Sequence, residues 1–170
     1  MPSRIVILGN SGAGKTTLAR RLASGLDAQL LSLDTIAWNG GPERVPPDKA
    51  GMALRAFMQA HPAWIVEGCY ASLARLALAR ATALVFLNPG IETCIAHCMQ
   101  RPWEPDKYPT SSAQQAMRGA LLTWVREYPE RTDDCGITAH RRLFDSYPGP
   151  KQELVHTADY DGCITRMQGN

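Results

Sequence analysis

Apolar residues occur along this chain in short, separated runs whose spacing switches between strand-like and helix-like. Ile5 to Leu8 is a continuous apolar run stopped by Gly9, the pattern of a strand buried on both faces. Thr16 to Ala23 then carries helical spacing, with Gly25 placed as a C-cap. Leu30 to Leu33 reads as a second strand ending at Asp34, and Trp64 to Val66 as a third ending at Glu67. Between them Pro46-Pro47-Asp48 opens a helix and His61-Pro62 closes it. A helix from Ser72 to Arg80 leads into a fourth strand, Ala83 to Leu87, after which Ile91, Cys94, Ile95, Cys98 and Met99 fall on one helical stripe. Three prolines between 102 and 109 exclude helix and central strand alike, so that stretch predicts a loop. Ser111 and Ser112, each with a glutamine three residues on, offer capping boxes for a helix striped by Met117, Ala120, Leu121, Trp124, Val125 and Tyr128. A short helix over 139–144, a fifth strand at Leu154 to His156 and a last helix over 160–167 complete the pattern. Strands alternating with helices predict an α/β fold, a parallel sheet covered on both faces, with ligands collecting at the carboxyl ends of the strands.

The residues that follow the first strand carry the most specific chemistry. Gly9-Asn10-Ser11-Gly12-Ala13-Gly14-Lys15-Thr16 satisfies G-x-x-x-x-G-K-[ST], and it stands between a strand and a helix, as that pattern requires. Glycines let backbone N–H groups curl around phosphate oxygens, and the helix dipole adds positive potential at the same place. Gly9 to Thr16, with Thr17, are therefore expected to bind ATP. Lys15 would reach the β- and γ-phosphates, and the Thr16 hydroxyl would ligate Mg²⁺.

What happens to the phosphate depends on residues further along. No N-K-x-D guanine reader follows the fourth or fifth strand, and the fourth ends in Asn88 rather than a metal-binding aspartate. Two acids do stand at strand ends, Asp34 and Glu67. One can orient Mg²⁺ through water while the other accepts the proton of an acceptor hydroxyl, and the pattern leaves open which does which. Asp34 as a turn cap and Glu67 as an arginine partner are the structural alternatives. Arg101, Arg118, Arg126 and Arg131 bracket the proline-rich loop and the helix after it, so 101–131 reads as a small lid closing over the transferring group. Arg101 and Arg118 are the favoured catalytic cations. Trp38 and Tyr70 follow the two acids and could stack on a flat acceptor or pack in the core, and Arg75, the nearest cation after the third strand, would bind an anionic nucleotide acceptor together with the lid arginines. Cys94, His97 and Cys98 fit packing rather than a zinc clip, since no second pair at metal spacing follows. His140-Arg141-Arg142 form a basic cluster with no evident partner.

Composition narrows the setting. One domain spanning 1–170 is expected, because 170 residues with 45% apolar content build one core. The 18 basic and 16 acidic side chains leave a net charge of +2, too little for a nucleic-acid footprint. Too few apolar residues precede Gly9 for a secretory core, and no run approaches the ~18 of a membrane span. Five scattered cysteines fit a reducing, cytoplasmic setting.

Taken together, the phosphate loop, Leu33-Asp34 with Trp38, Glu67-Gly68-Cys69-Tyr70, Arg101-Pro102-Trp103-Glu104-Pro105 and the segment from Trp124 to Arg131 resemble the adenylate-kinase-like branch of P-loop kinases. The likeness is closer to small bacterial proteins known as AAA-family ATPases or "topology modulation" proteins. That resemblance implies a three-layer P-loop NTPase fold with a five-stranded parallel sheet in the order 2-3-1-4-5 and a lid. It also implies ATP and Mg²⁺ as ligands, in a monomer or homodimer. The chain departs from adenylate kinases after the third strand, where Gly68-Cys69-Tyr70 replaces their glycine-phenylalanine-proline-arginine grip on AMP, and it lacks the glycine triplet of shikimate kinases. The expected activity is transfer of the ATP γ-phosphate to a nucleoside, nucleotide or hydroxylated metabolite. The alternative is a nucleotide-dependent switch or slow ATPase acting through a macromolecular partner, DNA among the candidates.

Overall fold

A computed structural model describes residues 3–38, 43–105 and 108–169. Five strands, β1 (Arg4–Gly9), β2 (Gln29–Ser32), β3 (Trp64–Gly68), β4 (Ala83–Leu87) and β5 (Lys151–Leu154), form one parallel sheet in the order β2-β3-β1-β4-β5. The helices among the described residues are α1 (Lys15–Leu26), α2 (Leu33–Trp38), α3 (Pro47–Ala60), α4 (Ala71–Leu78), α5 (Ile91–Gln100), α6 (Ser111–Arg126), α7 (Ile137–Ser146) and α8 (Asp159–Gln168). None is long and apolar enough to cross a membrane.

The pleat of β1 explains the three layers. Val6 and Leu8 point into a core shared with residues of α2, α3, α4 and α7, whereas Ile5 and Ile7 point into a second core shared with α1, α5 and α8. A central parallel strand therefore reads as an unbroken apolar run, because both of its faces are covered. The sheet order sets the site. β1 lies beside β3 with Ile7 opposite Glu67, and β2 lies on the other side of β3 with Ser32 opposite Glu67. The loop after β1 thus opens next to the ends of β3 and β2.

Several expectations need correction. Helix α1 runs past Gly25 and ends with Asp27 in the left-handed region at φ 47°, its N–H donating to Ala23 O. Gly25 instead leaves room for Gln168 from α8, which a Cβ there would overlap. Strand β2 stops at Ser32, so Asp34 lies in the first turn of α2 rather than at a strand end. Helix α6 is capped not by Ser111 or Ser112 but by Thr110, whose hydroxyl accepts from Ala113 N at 3.1 Å. Its predicted stripe is buried only toward its C-terminal end: Met117 and Ala120 are exposed, Leu121 and Trp124 are half-buried against the cores, and Val125 and Tyr128 are buried. Met99 on α5 is likewise exposed. Strand β5 starts three residues and ends two residues before the expected Leu154 to His156, because an edge strand can carry the polar sequence Lys-Gln-Glu.

Candidate functional site

Gly9, Gly12 and Gly14 adopt φ of +154°, +80° and +90°, and a Cβ at Gly12 would overlap the carbonyl oxygen of Cys94 in α5. The loop is tied to three helices, by its own Asn10 side chain to α6 and by side chains of α5 and α8. Asn10, 2% exposed, donates Nδ2–H to Val125 O of α6 at 3.1 Å and accepts Ser11 N–H on Oδ1 at 2.8 Å. A His97 ring nitrogen bonds Gly12 O at 2.7 Å, and since a carbonyl only accepts, His97 donates. Tyr160 donates its O–H to Ala13 O at 2.7 Å. These bonds occupy the carbonyls, while α1 follows Gly14, which offers no side-chain cap, and has no acidic residue in its first turn. The donors left at that helix start suit a polyanion, and the close-packed glycines fit a triphosphate tail. Lys15 arches back over the loop and donates to Asn10 O at 2.9 Å.

The two acids occupy separate places. Glu67, buried at the end of β3, accepts from the Thr16 hydroxyl at 3.2 Å. Asp34 accepts from Tyr70 O–H at 2.8 Å, and the same Tyr70 oxygen accepts Trp38 Nε1–H at 2.7 Å. Burial, reinforced by the Asp34 charge, pushes the Tyr70 phenol well above its usual range, so it remains a donor. The Arg44 guanidinium lies 4.9 Å from the centre of the Tyr70 ring and 5.6 Å from that of Trp38. Arg75 is exposed in the last turn of α4, so the cation stacked on the aromatic pair is Arg44. Sequence reasoning missed Arg44 because it follows a Gly/Pro stretch with no periodicity to place it.

Of the expected lid arginines, Arg101 and Arg118 come together. They line one crevice with Glu104, Tyr108 and Gln114, and Arg101 Nη2 lies 3.5 Å from Ser11 Oγ of the loop. Gln114 pins this arrangement, donating to Pro102 O at 2.9 Å and accepting Glu104 N–H at 2.8 Å. Asp106 and Lys107 of the proline-rich loop lie outside the described residues. Arg126 is exposed at the end of α6. Arg131 is engaged elsewhere: it stacks 4.1 Å from the Trp124 ring centre, donates to Trp124 O at 2.9 Å and pairs with Asp133 at 3.0 Å.

His140, which the sequence grouped with Arg141 and Arg142, is fully buried instead. Its Nε2 bonds Cys69 O at 2.7 Å and its Nδ1 bonds Tyr128 O–H at 2.8 Å. The carbonyl requires the proton on Nε2, so Nδ1 accepts from the tyrosine and the ring is neutral. Burial lowers its pKa to about 4. Arg141 turns away to make two 2.7 Å bonds with Glu153 of β5. Cys94 and Cys98 are buried in the second core, as their spacing implied.

Residues 5–120, more than half of the sequence, match the family model described as AAA domain. The chain belongs to the AAA domain family. Solved structures similar to this AAA-domain chain include an unliganded sugar kinase from Janibacter sp. HTCC2649, with 16% identity, 98% of this chain and 92% of that chain covered, and a TM-score of 0.51. Another is the shikimate kinase from Acinetobacter baumannii in complex with shikimate, with 19% identity, 84% and 92% covered, and a TM-score of 0.45. No curated protein sequence matches. The sugar kinase likeness is one of fold, and it agrees with the α/β architecture and five-stranded parallel sheet in the order β2-β3-β1-β4-β5.

Proposed function

We propose that this chain is an ATP-dependent phosphotransferase that moves the γ-phosphate to a small acceptor. The observation that carries the reading is the division of the two acids: Glu67 sits on the Thr16 hydroxyl and Asp34 on the Tyr70–Trp38 pair. One acid therefore serves the metal side of the loop and the other the acceptor side. A switch or simple ATPase has no need of the second group.

In this reading residues 9–17 would bind the triphosphate through backbone amides, and Thr16, bonded to Glu67, would hold Mg²⁺. Bound Mg·ATP supplies an electrophilic γ-phosphorus. Lys15 exchanges Asn10 O for phosphate oxygens and neutralises charge as it develops. Asp34 takes the proton of the acceptor hydroxyl while that oxygen bonds to γ-phosphorus and the bridging P–O bond to ADP breaks. Tyr70, held by Trp38, keeps the Asp34 carboxylate aimed. Arg101 and Arg118 cover the transferring group from the 101–131 segment, which acts as a lid on a single 1–170 domain.

The test is ADP release with Mg·ATP across a panel of nucleosides, nucleotides, sugars and hydroxy acids. The expected result is a rate that jumps with one acceptor class and falls about 10²-fold or more in Asp34→Asn. A rate indifferent to every acceptor, or to Asp34→Asn, contradicts the proposal.

A further inference from the structure

The connection between α2 and α3 puts a cation where the acceptor would lie. Arg44 is exposed, and its guanidinium stacks against two rings, Tyr70 at 4.9 Å and Trp38 at 5.6 Å. Those rings are fixed: Tyr70 is 5% exposed, and its hydroxyl joins Trp38 Nε1 at 2.7 Å to Asp34 at 2.8 Å. One hydrogen-bonded unit thus holds both the carboxylate that would receive a proton and, over its rings, a guanidinium.

A guanidinium held over aromatic rings instead of in an ion pair keeps its N–H donors for a ligand, and its fork can grip a carboxylate or phosphate through two parallel bonds. Aromatic faces orient the cation without neutralising it. Four arginines among the described residues are already paired with carboxylates, and Arg44 differs from the remaining ones in being held over two rings. Arg21 pairs with Asp161, Arg101 with Glu104, Arg131 with Asp133 and Arg141 with Glu153. Among the described residues no carboxylate pairs with Arg44. Trp38, 37% exposed, leaves part of its indole open on the same side chain cluster, a surface for the carbon skeleton of a small molecule.

We infer that Arg44, held by Trp38 and Tyr70, is an oxyanion subsite, so the acceptor carries a carboxylate or phosphate in addition to the group presented to Asp34. This rests on the phosphotransferase reading for the role of Asp34, but the subsite itself is a binding property. Neutral sugars and nucleosides are then poor ligands, and their acidic or phosphorylated counterparts are good ones.

The test is calorimetric binding, with Mg²⁺ and the non-hydrolysable imido analogue of ATP present, of three matched pairs: gluconate and glucose, ribose 5-phosphate and ribose, AMP and adenosine. The anionic member of at least one pair should bind about ten-fold or more tightly than its neutral partner. Arg44→Gln should bring the two together, and Arg44→Lys should retain part of the gap, since it keeps charge without the planar fork. Preference within the carboxylate pair or the phosphate pairs identifies which oxyanion the subsite takes. Equal affinities within all pairs, no binding of any member, or a preference that survives Arg44→Gln with an unchanged thermal transition overturns the inference. ADP formation in parallel mixtures with ATP separates the two claims. Anion preference without ADP leaves the subsite standing and removes the kinase reading, whereas ADP from neutral acceptors does the reverse.

Discussion

Lys15 and Thr16 are neighbours in sequence with different partners, the ammonium on Asn10 O and the hydroxyl on Glu67. Lys15 contributes one loop contact to the fold, so Lys15→Met should keep its thermal transition while losing a factor on the order of 10²–10³ in turnover with Mg·ATP. Wild-type turnover in that variant would remove the assignment. Glu67→Gln preserves shape and the bond from Thr16 but lacks the charge. It should raise the Mg²⁺ concentration for half-maximal rate several-fold, read from initial rates at fixed ATP, and an unshifted Mg²⁺ dependence would separate Glu67 from the metal. At this scale the sequence was legible where the signal is local: Gly9, Gly12 and Gly14 of the 9–16 motif all take the positive φ that glycine permits. It was not legible for Arg44 or His140. His140 meets Cys69 across 71 positions, and nothing near it in sequence signals that the ring is buried and neutral.

At the scale of elements, the end of α6 is fastened twice: Val125 O receives Asn10 from the phosphate loop, and Tyr128 just beyond reaches Cys69 through His140. The site loops and the helix carrying Arg118 therefore share one buried network. That network has a pH signature. The folded imidazole has its pKa lowered to about 4, against 6.5 for an ordinary histidine, chiefly by burial. Its stabilising contribution is complete above about pH 6.5 and is lost as pH falls toward 4, because the unfolded chain takes up the proton first. The loss amounts to about 3 kcal/mol at most. Denaturant unfolding from pH 7 to 4.5 should show this slope in the wild type and a flatter one in His140→Gln, and equal slopes would contradict the neutral buried ring. Element boundaries were read less well than element types. α1 overran Gly25 because tertiary contact with α8, not capping, uses that glycine, and β5 hid its polar start because an edge strand needs few apolar residues.

The whole molecule is organised by β1 at the centre of a parallel sheet with cores on both faces. Alternation of apolar runs predicted that architecture directly, and the strand order followed from the resemblance. The pattern placed Asp34 and Glu67 near the carboxyl edge but could not supply their partners: Glu67 meets Thr16 of the 9–16 loop, Asp34 meets Tyr70 and through it Trp38, and Arg101 and Arg118 line one crevice in which Arg101 also reaches Ser11. Such pairings are set by packing between elements far apart in sequence. The most direct test is a crystal structure with Mg²⁺ and the imido analogue of ATP bound. The triphosphate should lie along residues 9–16 with the Lys15 ammonium moved from Asn10 O onto phosphate oxygens. Nucleotide bound away from that loop, or Lys15 still on Asn10 O beside it, would contradict the account.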